Sequence, residues 1–538
     1  MYKNKYITGA LFGLIFTIPL IIIFHLGWKI AGLPFPPYDI FDLITRILPG
    51  SMITFTIDTM VGLIRSLNIG NTADVAKSAE QTMAILIFIG TGMASAIILF
   101  FIFQKLNRSV YTTGSLFGLF SGILVLIISY SIDRIVPVSP FLSGLWILFI
   151  MSIWGLLIGW SYKHFIQINE KHDIASAKGS RQVERLDRRR FLIKVGAASA
   201  VFTVTGAVVD ILLDSKHKIE SDINKRWSSN HELPNHNAQI LPAPGTRPEF
   251  TPLEEHYRID INTMPPSIKA ENWRLKVTGL VEKPLEFSLD DIRNYPPMHQ
   301  FITLACISNP IGGDLTSTTR WTGVSLQKFL PNLKLKPNAS HLKISSADGF
   351  FEIVALDTIN KDDRVMLAYA WDGVPLRIKH GFPLRIYIPD RYGMKQPKWI
   401  EKLEAIDHWE AGYWVKRGWD KDARMKATSV IDTIAVNSMF TDMQDKPYIP
   451  VGGIAHAGAR GISKVQIRID DHDWQEARLR EPLSELTWVI WRYDMPFKEG
   501  NYAISVRCFD GEGNMQIEEP SKPHPSGATG LQTKEFRL

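Results

Sequence analysis

One cysteine in this 538-residue sequence stands where its sulfur can meet a ligand. Cys306 closes the apolar run FITLAC, which predicts a β-strand, and the Gly-rich segment NPIGGDL follows shortly after it. A thiolate at the end of a strand beside a flexible loop can coordinate a soft metal ion. A lone cysteine is also commonly a small buried hydrophobe, so the residue by itself leaves both roles open.

The densest basic stretch in the second half of the chain is HGFPLRIYIPDRYGMKQPKW, residues 380–399. Its apolar residues alternate with Arg385 and Tyr387, which predicts a strand with one apolar face. Cations on a strand and the loop after it suit a phosphate group held by charge-assisted hydrogen bonds, and a solvated strand edge is the alternative. The basic side chains are His380, Arg385, Arg391, Lys395 and Lys398.

A third motif, DRRRFLIKV, places Arg188 and Arg189 shortly before the uncharged run 195–209. Paired arginines ahead of a short, mildly apolar segment are typical of a twin-arginine export signal. The motif therefore predicts a weakly apolar crossing and a downstream half that is exported already folded around a cofactor. The alternative is a plain final helix whose arginines mark the cytoplasmic face.

The elements upstream of this signal are apolar. The segment 43–64 is interrupted by Arg46, Asp58 and Pro49-Gly50, so it is predicted to lie in the interface or to re-enter. Four other stretches lack Asp, Glu, Lys and Arg over about the 20 residues that a spanning helix needs, and we predict four spans there: 6–28, 82–103, 109–132 and 135–162.

Positive charge flanks these predicted spans on one side. Basic residues precede the first span and separate the second from the third, and nine Lys or Arg against four Asp or Glu occupy 163–194. The positive-inside rule places these clusters in the cytoplasm, so the downstream half is expected on the periplasmic or extracellular side. The positive clusters that orient the membrane domain then account for the net charge of +6, and no nucleic-acid partner is expected.

Seven ordered motifs from about Tyr257 onward resemble the sulfite oxidase family of molybdenum enzymes: HYRIDIN, TLACISN, TRWTGVSL, ADGF, MLAYAWDGVPL, HGFPLRIYIPDRYGMKQPKW and YWVKRGWD. The resemblance implies that Cys306 is the thiolate ligand of molybdenum, and a soft thiolate suits a metal already held by the dithiolene of molybdopterin. It also implies that Arg258 approaches the oxo ligands of the metal, and that either Tyr413 or Trp414 replaces the pocket tyrosine, with Tyr413 preferred. The side chains that it implies for cofactor binding are Asn309, Arg320, His380, Arg385, Lys395 and Lys398.

Oxygen-atom transfer is the reaction class that the resemblance implies. Sulfite oxidases proper continue the Cys-x-x-Asn motif with arginines, whereas Pro310-Ile311-Gly312-Gly313 follows Asn309 here. Fewer cations attract a small oxyanion less strongly, so reduction of a neutral S-oxide or N-oxide competes with sulfite-type oxidation. The resemblance further implies an immunoglobulin-like final domain that forms a homodimer contact. Cys508 shares a strand face with Tyr502, Ile504 and Val506, which predicts that it lies in the core of this domain.

No haem is expected in this chain, because His25 and His164 lie near opposite faces of the predicted membrane domain. A separate electron carrier or quinone is the expected electron partner. A cofactor-free, membrane-tethered binding protein on the same fold is the alternative from another class. The predicted domains are a four-helix membrane domain (1–165), a basic loop (166–190), a signal or anchor helix (191–213), a linker (214–250), an α+β molybdopterin domain (251–420) and an immunoglobulin-like β-sandwich (421–538).

Overall fold

The computed structural model describes residues 3–67, 70–106, 108–132, 138–176, 190–191, 193–205 and 225–537. The chain divides into two compact units. The helical unit comprises Met1–Leu48, Lys77–Ile219 and Ile261–Ser267, and the β-rich unit comprises Pro49–Ala76, Glu220–Asp260 and Ile268–Leu538. The predicted signal residues Arg188 and Arg189 lie outside the described residues.

The first part of the chain is helical, as its apolar composition predicts. Its helices are α1 Lys3–Ala31, α2 Pro36–Ile47, α3 Gly50–Leu67, α4 Thr72–Lys105, α5 Val110–Ser131, α6 Pro140–Ser176 and α7 Ile193–Thr205. Four of them, α1, α4, α5 and α6, are long and apolar enough to cross a membrane. A fifth span results only if the bent pair of α2 and α3, which meet around Pro49, counts as one.

Glycines let the long helices approach backbone to backbone. A Cβ atom on Gly155 of α6 would lie 2.0 Å from the carbonyl oxygen of Gly114 on α5, and one on Gly118 would lie 2.2 Å from that of Met151. On α1, a Cβ on Gly13 would lie 2.7 Å from the Cα of Met93 on α4. Small residues at these contacts maximise van der Waals packing between apolar helices.

A short segment from far along the chain belongs to the helical unit. The Asp42 carboxylate accepts hydrogen bonds from the backbone N–H and the hydroxyl of Thr263, at 2.9 and 2.6 Å. Arg46 donates to the side-chain oxygen of Asn262 at 3.0 Å, and Lys77 donates to its carbonyl at 3.2 Å. Charged side chains of α2 and α4 thus fix the segment Ile261–Ser267.

Two five-stranded sheets form the first part of the β-rich unit. One has the order β2-β1-β10-β5-β6, and the other has β3-β4-β7-β8 with β9 also paired to β7. The short helices are α8 Trp227–Asn230, α9 Leu289–Arg293, α10 Leu326–Phe329 and α11 Leu356–Lys361. The strands are β1 Leu275–Gly279, β2 Leu285–Phe287, β3 Met298–Ala305, β4 Thr316–Ser325, β5 His341–Ser346, β6 Phe351–Ala355, β7 Met366–Trp371, β8 Val374–Pro375, β9 Arg385–Tyr387 and β10 Ile400–Ile406.

The remaining strands form one eight-stranded sheet of order β11-β13-β16-β15-β14-β17-β18, with β12 paired to β13. Its ends nearly meet, because the N–H of Ile431 on β11 donates to the side chain of Gln532 on β18 at 2.5 Å. Cys508 is fully buried among Val465, Ile467 and Trp491, which confirms its predicted place in the core. These strands are β11 Thr428–Ile434, β12 Phe440–Thr441, β13 Pro447–His456, β14 Ile462–Ile469, β15 Gln475–Leu479, β16 Val489–Pro496, β17 Asn501–Asp510 and β18 Gln532–Arg537.

Candidate active site

Cys306 follows directly on β3, as the apolar run before it predicts. Its thiol is free and 9% exposed, and its Sγ lies 2.9 Å from the hydroxyl of Ser308. Its N–H donates to the carbonyl of Leu315 at 2.9 Å, just before β4 begins. The loop 306–315 therefore leaves β3 and returns beside its own starting point, so the sulfur is held at a fixed strand end.

Asn309 closes this loop from inside. Its side-chain oxygen accepts the N–H of Leu315 at 3.0 Å, and its own N–H donates to the carbonyl of Cys306 at 3.1 Å. A Cβ on Gly313 would lie 2.2 Å from the same side-chain oxygen, so only glycine leaves room for it. The structure thus gives Asn309 a bracing role in the cysteine loop.

Burial raises the pKa of the Cys306 thiol, while the hydrogen bond with Ser308 and the positive charge of Lys398 oppose that rise. The neighbouring phenol of Tyr257 is also buried, which raises its pKa, and the charge of a Cys306 thiolate would raise it further. A thiolate here therefore needs a cation or a metal beside it to be stable.

Two cations of the basic stretch meet across Gly381. A Cβ on this glycine would lie 3.1 Å from the Cβ of Arg385 and 3.2 Å from that of Lys398, and its φ of 110° also favours glycine. Arg385, on β9, donates to the carbonyl of His380 at 3.0 Å, and its guanidinium lies 4.8 Å from the ring centroid of Trp321. Burial lowers the pKa of Arg385 to about 10.

Lys398 and Arg258 share one counter-ion that the sequence did not reveal. Asp260, with a side chain only 1% exposed, forms ion pairs with both cations. Lys398 also donates to the carbonyl of Ile259 at 3.0 Å. Burial lowers the pKa of Lys398 to about 8, although the charge of Asp260 acts in the opposite direction.

His256 is a second residue that the sequence reasoning missed, although it begins the quoted motif HYRIDIN. Its ring centroid lies 5.4 Å from that of His380, and both rings contact Trp371. Burial, followed by the charge of Arg385, lowers the pKa of His256 to about 3, and burial likewise lowers that of His380. Both imidazoles are therefore neutral at physiological pH.

The comparisons with known proteins agree on the identity of this region. Residues 262–414 match the family model "Oxidoreductase molybdopterin binding domain". The chain is 25% identical to mitochondrial sulfite oxidase of Macaca fascicularis in an alignment 288 residues long that covers 45% of this chain and 52% of that protein. It is 25% identical to NADH nitrate reductase 1 of Phaseolus vulgaris in an alignment 334 residues long that covers 50% of this chain and 38% of that protein.

This segment is a molybdopterin-binding oxidoreductase domain, similar to those of sulfite oxidases and nitrate reductases. The chain spans about half the length of the sulfite oxidase that it matches. Among solved structures, the sulfane dehydrogenase SoxCD of Paracoccus pantotrophus is similar over 60% of this chain and 92% of that chain, at 19% identity and a TM-score of 0.47.

The residues around Cys306 fit the cofactor that this family implies. The buried polar atoms that have no hydrogen-bond partner among the described residues include Nε2 of His256, Nε2 of His380 and Nη2 of Arg258. Such atoms are costly unless a ligand satisfies them. Together with Arg385 and Lys398 they form a donor-rich set that suits an anionic group such as the phosphate of molybdopterin, while the free thiol suits its metal.

Three other residues predicted for the site, Arg320, Lys395 and Tyr413, contact side chains outside this donor-rich set. The guanidinium of Arg320 lies 5.0 Å from the ring centroid of Trp227. Lys395 forms a buried ion pair with Glu352 at 2.9 Å and lines a separate cavity of about 240 Å³. Tyr413 is buried under Arg417, whose guanidinium lies 3.6 Å from its ring centroid.

Two tryptophans border the cysteine more closely than the sequence suggested. Trp419 is buried in one apolar cluster with Ala305 and Ile307, the residues on either side of Cys306, and Trp414 packs against this cluster. The motif YWVKRGWD contains both indoles, but nothing in its spacing indicates that Trp419 lies near Cys306. The flanks of the cysteine are thus aromatic and apolar.

Proposed function

We propose that the chain is a membrane-anchored, molybdopterin-dependent oxidoreductase that transfers an oxygen atom to or from a small substrate. The observation that carries this proposal is the buried free thiol of Cys306 inside the matched domain. When bound, the cofactor supplies a metal that changes oxidation state by two electrons and exchanges an oxygen atom. The protein supplies the thiolate ligand, the phosphate-binding cations and the shape of the substrate pocket.

Each residue has a role that follows from its contacts. Cys306 would ligate the metal as a thiolate, and Asn309 would keep its loop closed. His380, Arg385 and Lys398 would hold the anionic end of the pterin, and Arg258 would face the metal from its anchor on Asp260. Arg320, Lys395 and Tyr413 remain predicted site residues, each with an aromatic or ionic partner of its own.

A neutral S-oxide or N-oxide is the substrate class that we favour. The names of the relatives include both an oxidase and a reductase, so this domain type serves both directions. The loop Pro310–Gly313 carries no cation, and aromatic rings flank the cysteine. Reduction of a sulfoxide consumes two electrons and two protons and releases the sulfide and water. The electrons would come from a membrane quinol or a separate carrier.

The four long apolar helices would anchor the protein in the cytoplasmic membrane, with the β-rich unit outside. The Arg188-Arg189 motif would direct export of the folded, cofactor-loaded half. The C-terminal eight-stranded sheet would be an immunoglobulin-like domain through which two chains associate.

Metal analysis of the detergent-purified protein from a molybdate-replete host tests the proposal. We expect stoichiometric molybdenum in the wild type and in Cys508→Ser, and no activity in Cys306→Ser, because a hydroxyl is a poor ligand for a soft metal. Wild-type protein without molybdenum would instead support the cofactor-free binding protein. Wild-type turnover by Cys306→Ser would refute the ligand assignment.

Substrate assays with an artificial electron donor or acceptor test the proposed substrate class. Each missing charge-assisted hydrogen bond costs roughly 1.5–3 kcal/mol, so two missing arginines weaken sulfite binding on the order of a hundredfold or more. We expect poor steady-state sulfite oxidation and better sulfoxide or N-oxide reduction. A micromolar Michaelis constant for sulfite would overturn this substrate class.

A further inference from the structure

The segment Pro49–Ala76 lies between apolar helices in the sequence but belongs to the β-rich unit. At its start, a Cβ on Gly50 would lie 2.6 Å from the carbonyl oxygen of Arg417, the residue that covers Tyr413. At its end, Ala73 is 2% exposed within the apolar cluster that contains Cys306. Both ends of the segment thus contact elements of the candidate active site.

A hydrogen bond joins the first turn of α4 to the cysteine loop. The N–H of Thr72 donates to the carboxylate of Asp314 at 2.7 Å. Asn71 caps the same turn, because its side-chain oxygen accepts the N–H of Ala73 at 3.0 Å and its carbonyl accepts that of Val75 at 3.1 Å. A carboxylate at this end of a helix is also favoured by the helix dipole.

Asp314 is the residue before Leu315, and Leu315 holds the cysteine loop closed. Its carbonyl accepts the N–H of Cys306, and its N–H donates to the side chain of Asn309. Fixing Asp314 on α4 therefore fixes the returning end of the loop that carries the thiol. The negative charge of Asp74, in the same turn, also acts on Lys379, the neighbour of His380, and raises its pKa against the effect of burial.

We propose that Asp314 is a positioning residue and that the first turn of α4 holds the Cys306 loop through it. The first turn of α4 is thereby part of the support of the Cys306 loop. The meaning for catalysis rests on the function proposed above, whereas the support of the loop is testable in protein without cofactor.

Thr72 offers an unusually clean test, because it is the first residue of α4. Proline is well tolerated at this position, so Thr72→Pro removes the N–H donor and leaves the helix intact. Thr72→Ala is the matched control, since it also removes the side-chain hydroxyl but keeps the N–H. Asp314→Ala removes the acceptor from the other side, and Asp314→Asn retains an acceptor oxygen.

Hydrogen exchange of peptides covering 306–316 is measured in full-length protein from a molybdate-starved host. We expect about tenfold faster exchange in Thr72→Pro and Asp314→Ala, with Thr72→Ala near wild type and Asp314→Asn in between. Peptides of β13 and β16 should exchange as in wild type, which verifies the fold. Equal loop protection in Asp314→Ala and wild type would overturn the proposal.

In molybdate-replete protein, the same two variants should shift the thiolate-to-metal charge-transfer absorption while they retain the metal. An unchanged absorption in Asp314→Ala would count against positioning of the thiolate. Wild-type protein without molybdenum would refute the proposed function, yet the exchange comparison would still decide the role of Asp314.

Discussion

Replacing Asp260 by Asn removes the carboxylate that bridges two buried cations and changes the volume very little. In the wild type this side chain is 1% exposed and pairs with both Arg258 and Lys398. Removing one partner of a buried ion pair typically costs about 3–5 kcal/mol, because the remaining charge stays buried. We expect a loss of about 3 kcal/mol at pH 7 in cofactor-free protein, seen as a melting temperature lower by about 5 °C.

The pH dependence identifies the responsible group. The pKa of Lys398 is about 8 when folded, below the value of about 10.4 in an unfolded chain. Between these values the unfolded state binds more protons, so this group makes the wild type more stable as pH rises from about 8 to 10. Without Asp260 the pKa of Lys398 falls further, so the unfolding free energy of the variant begins to rise with pH already below pH 8. The difference in unfolding free energy between wild type and Asp260→Asn should therefore shrink between pH 7 and pH 9.

Thermal unfolding of detergent-purified, cofactor-free protein at pH 7, 8 and 9 measures both effects. Asp290→Asn is the matched control, since the side chain of Asp290 is 86% exposed and its ion pair with Arg293 spans 3.4 Å. Such a surface pair contributes about 0–1 kcal/mol. Equal melting of Asp260→Asn and wild type at pH 7, or a deficit that stays constant to pH 9, would refute the reasoning.

Three further outcomes follow from other contacts. Lys395→Met should lower the unfolding free energy by about 3 kcal/mol by stranding Glu352, and the double variant with Glu352→Leu should recover most of this in denaturant titrations. If the double variant recovers nothing, the ion pair is not the cause. Changing the pair Arg188-Arg189 to Lys should block export, whereas normal external protease accessibility would favour a plain anchor helix. Gly155→Ala should lower the melting temperature of the helical unit, with Gly90→Ala, which has open space around it, as the control that should melt no lower than wild type.

Local patterns in the sequence predicted the strands of the site, but they did not predict which acidic side chains pair with its cations. The alternation around Arg385 predicted β9, and the apolar run before Cys306 predicted β3, because side-chain periodicity is a property of neighbouring residues. Asp260 pairs with Lys398 across 138 positions, and no periodic pattern encodes such a pairing. His256 was equally invisible, since its neutral state results from burial and from cations brought by other strands.

Local sequence patterns could not predict the contact of Thr72 with Asp314 either, because 242 positions separate the two residues. The sequence divided the chain into a membrane half and a catalytic half at the basic loop. The composition of neither half indicates that a short segment of it belongs to the structural unit formed mainly by the other half. Only the folded chain assigns Pro49–Ala76 to the β-rich unit and Ile261–Ser267 to the helical unit.

The glycine contacts of the helical unit also restrict where a small molecule can bind. Between α5 and α6 the carbonyl of Gly114 occupies the space that a methyl group on Gly155 would need, and between α1 and α4 the backbone of Met93 does the same for Gly13. A flat ring system such as a quinone head group needs a slot between backbones, and these two contacts leave none. A redox molecule that reaches the helical unit from the lipid phase would therefore have to bind away from these two contacts.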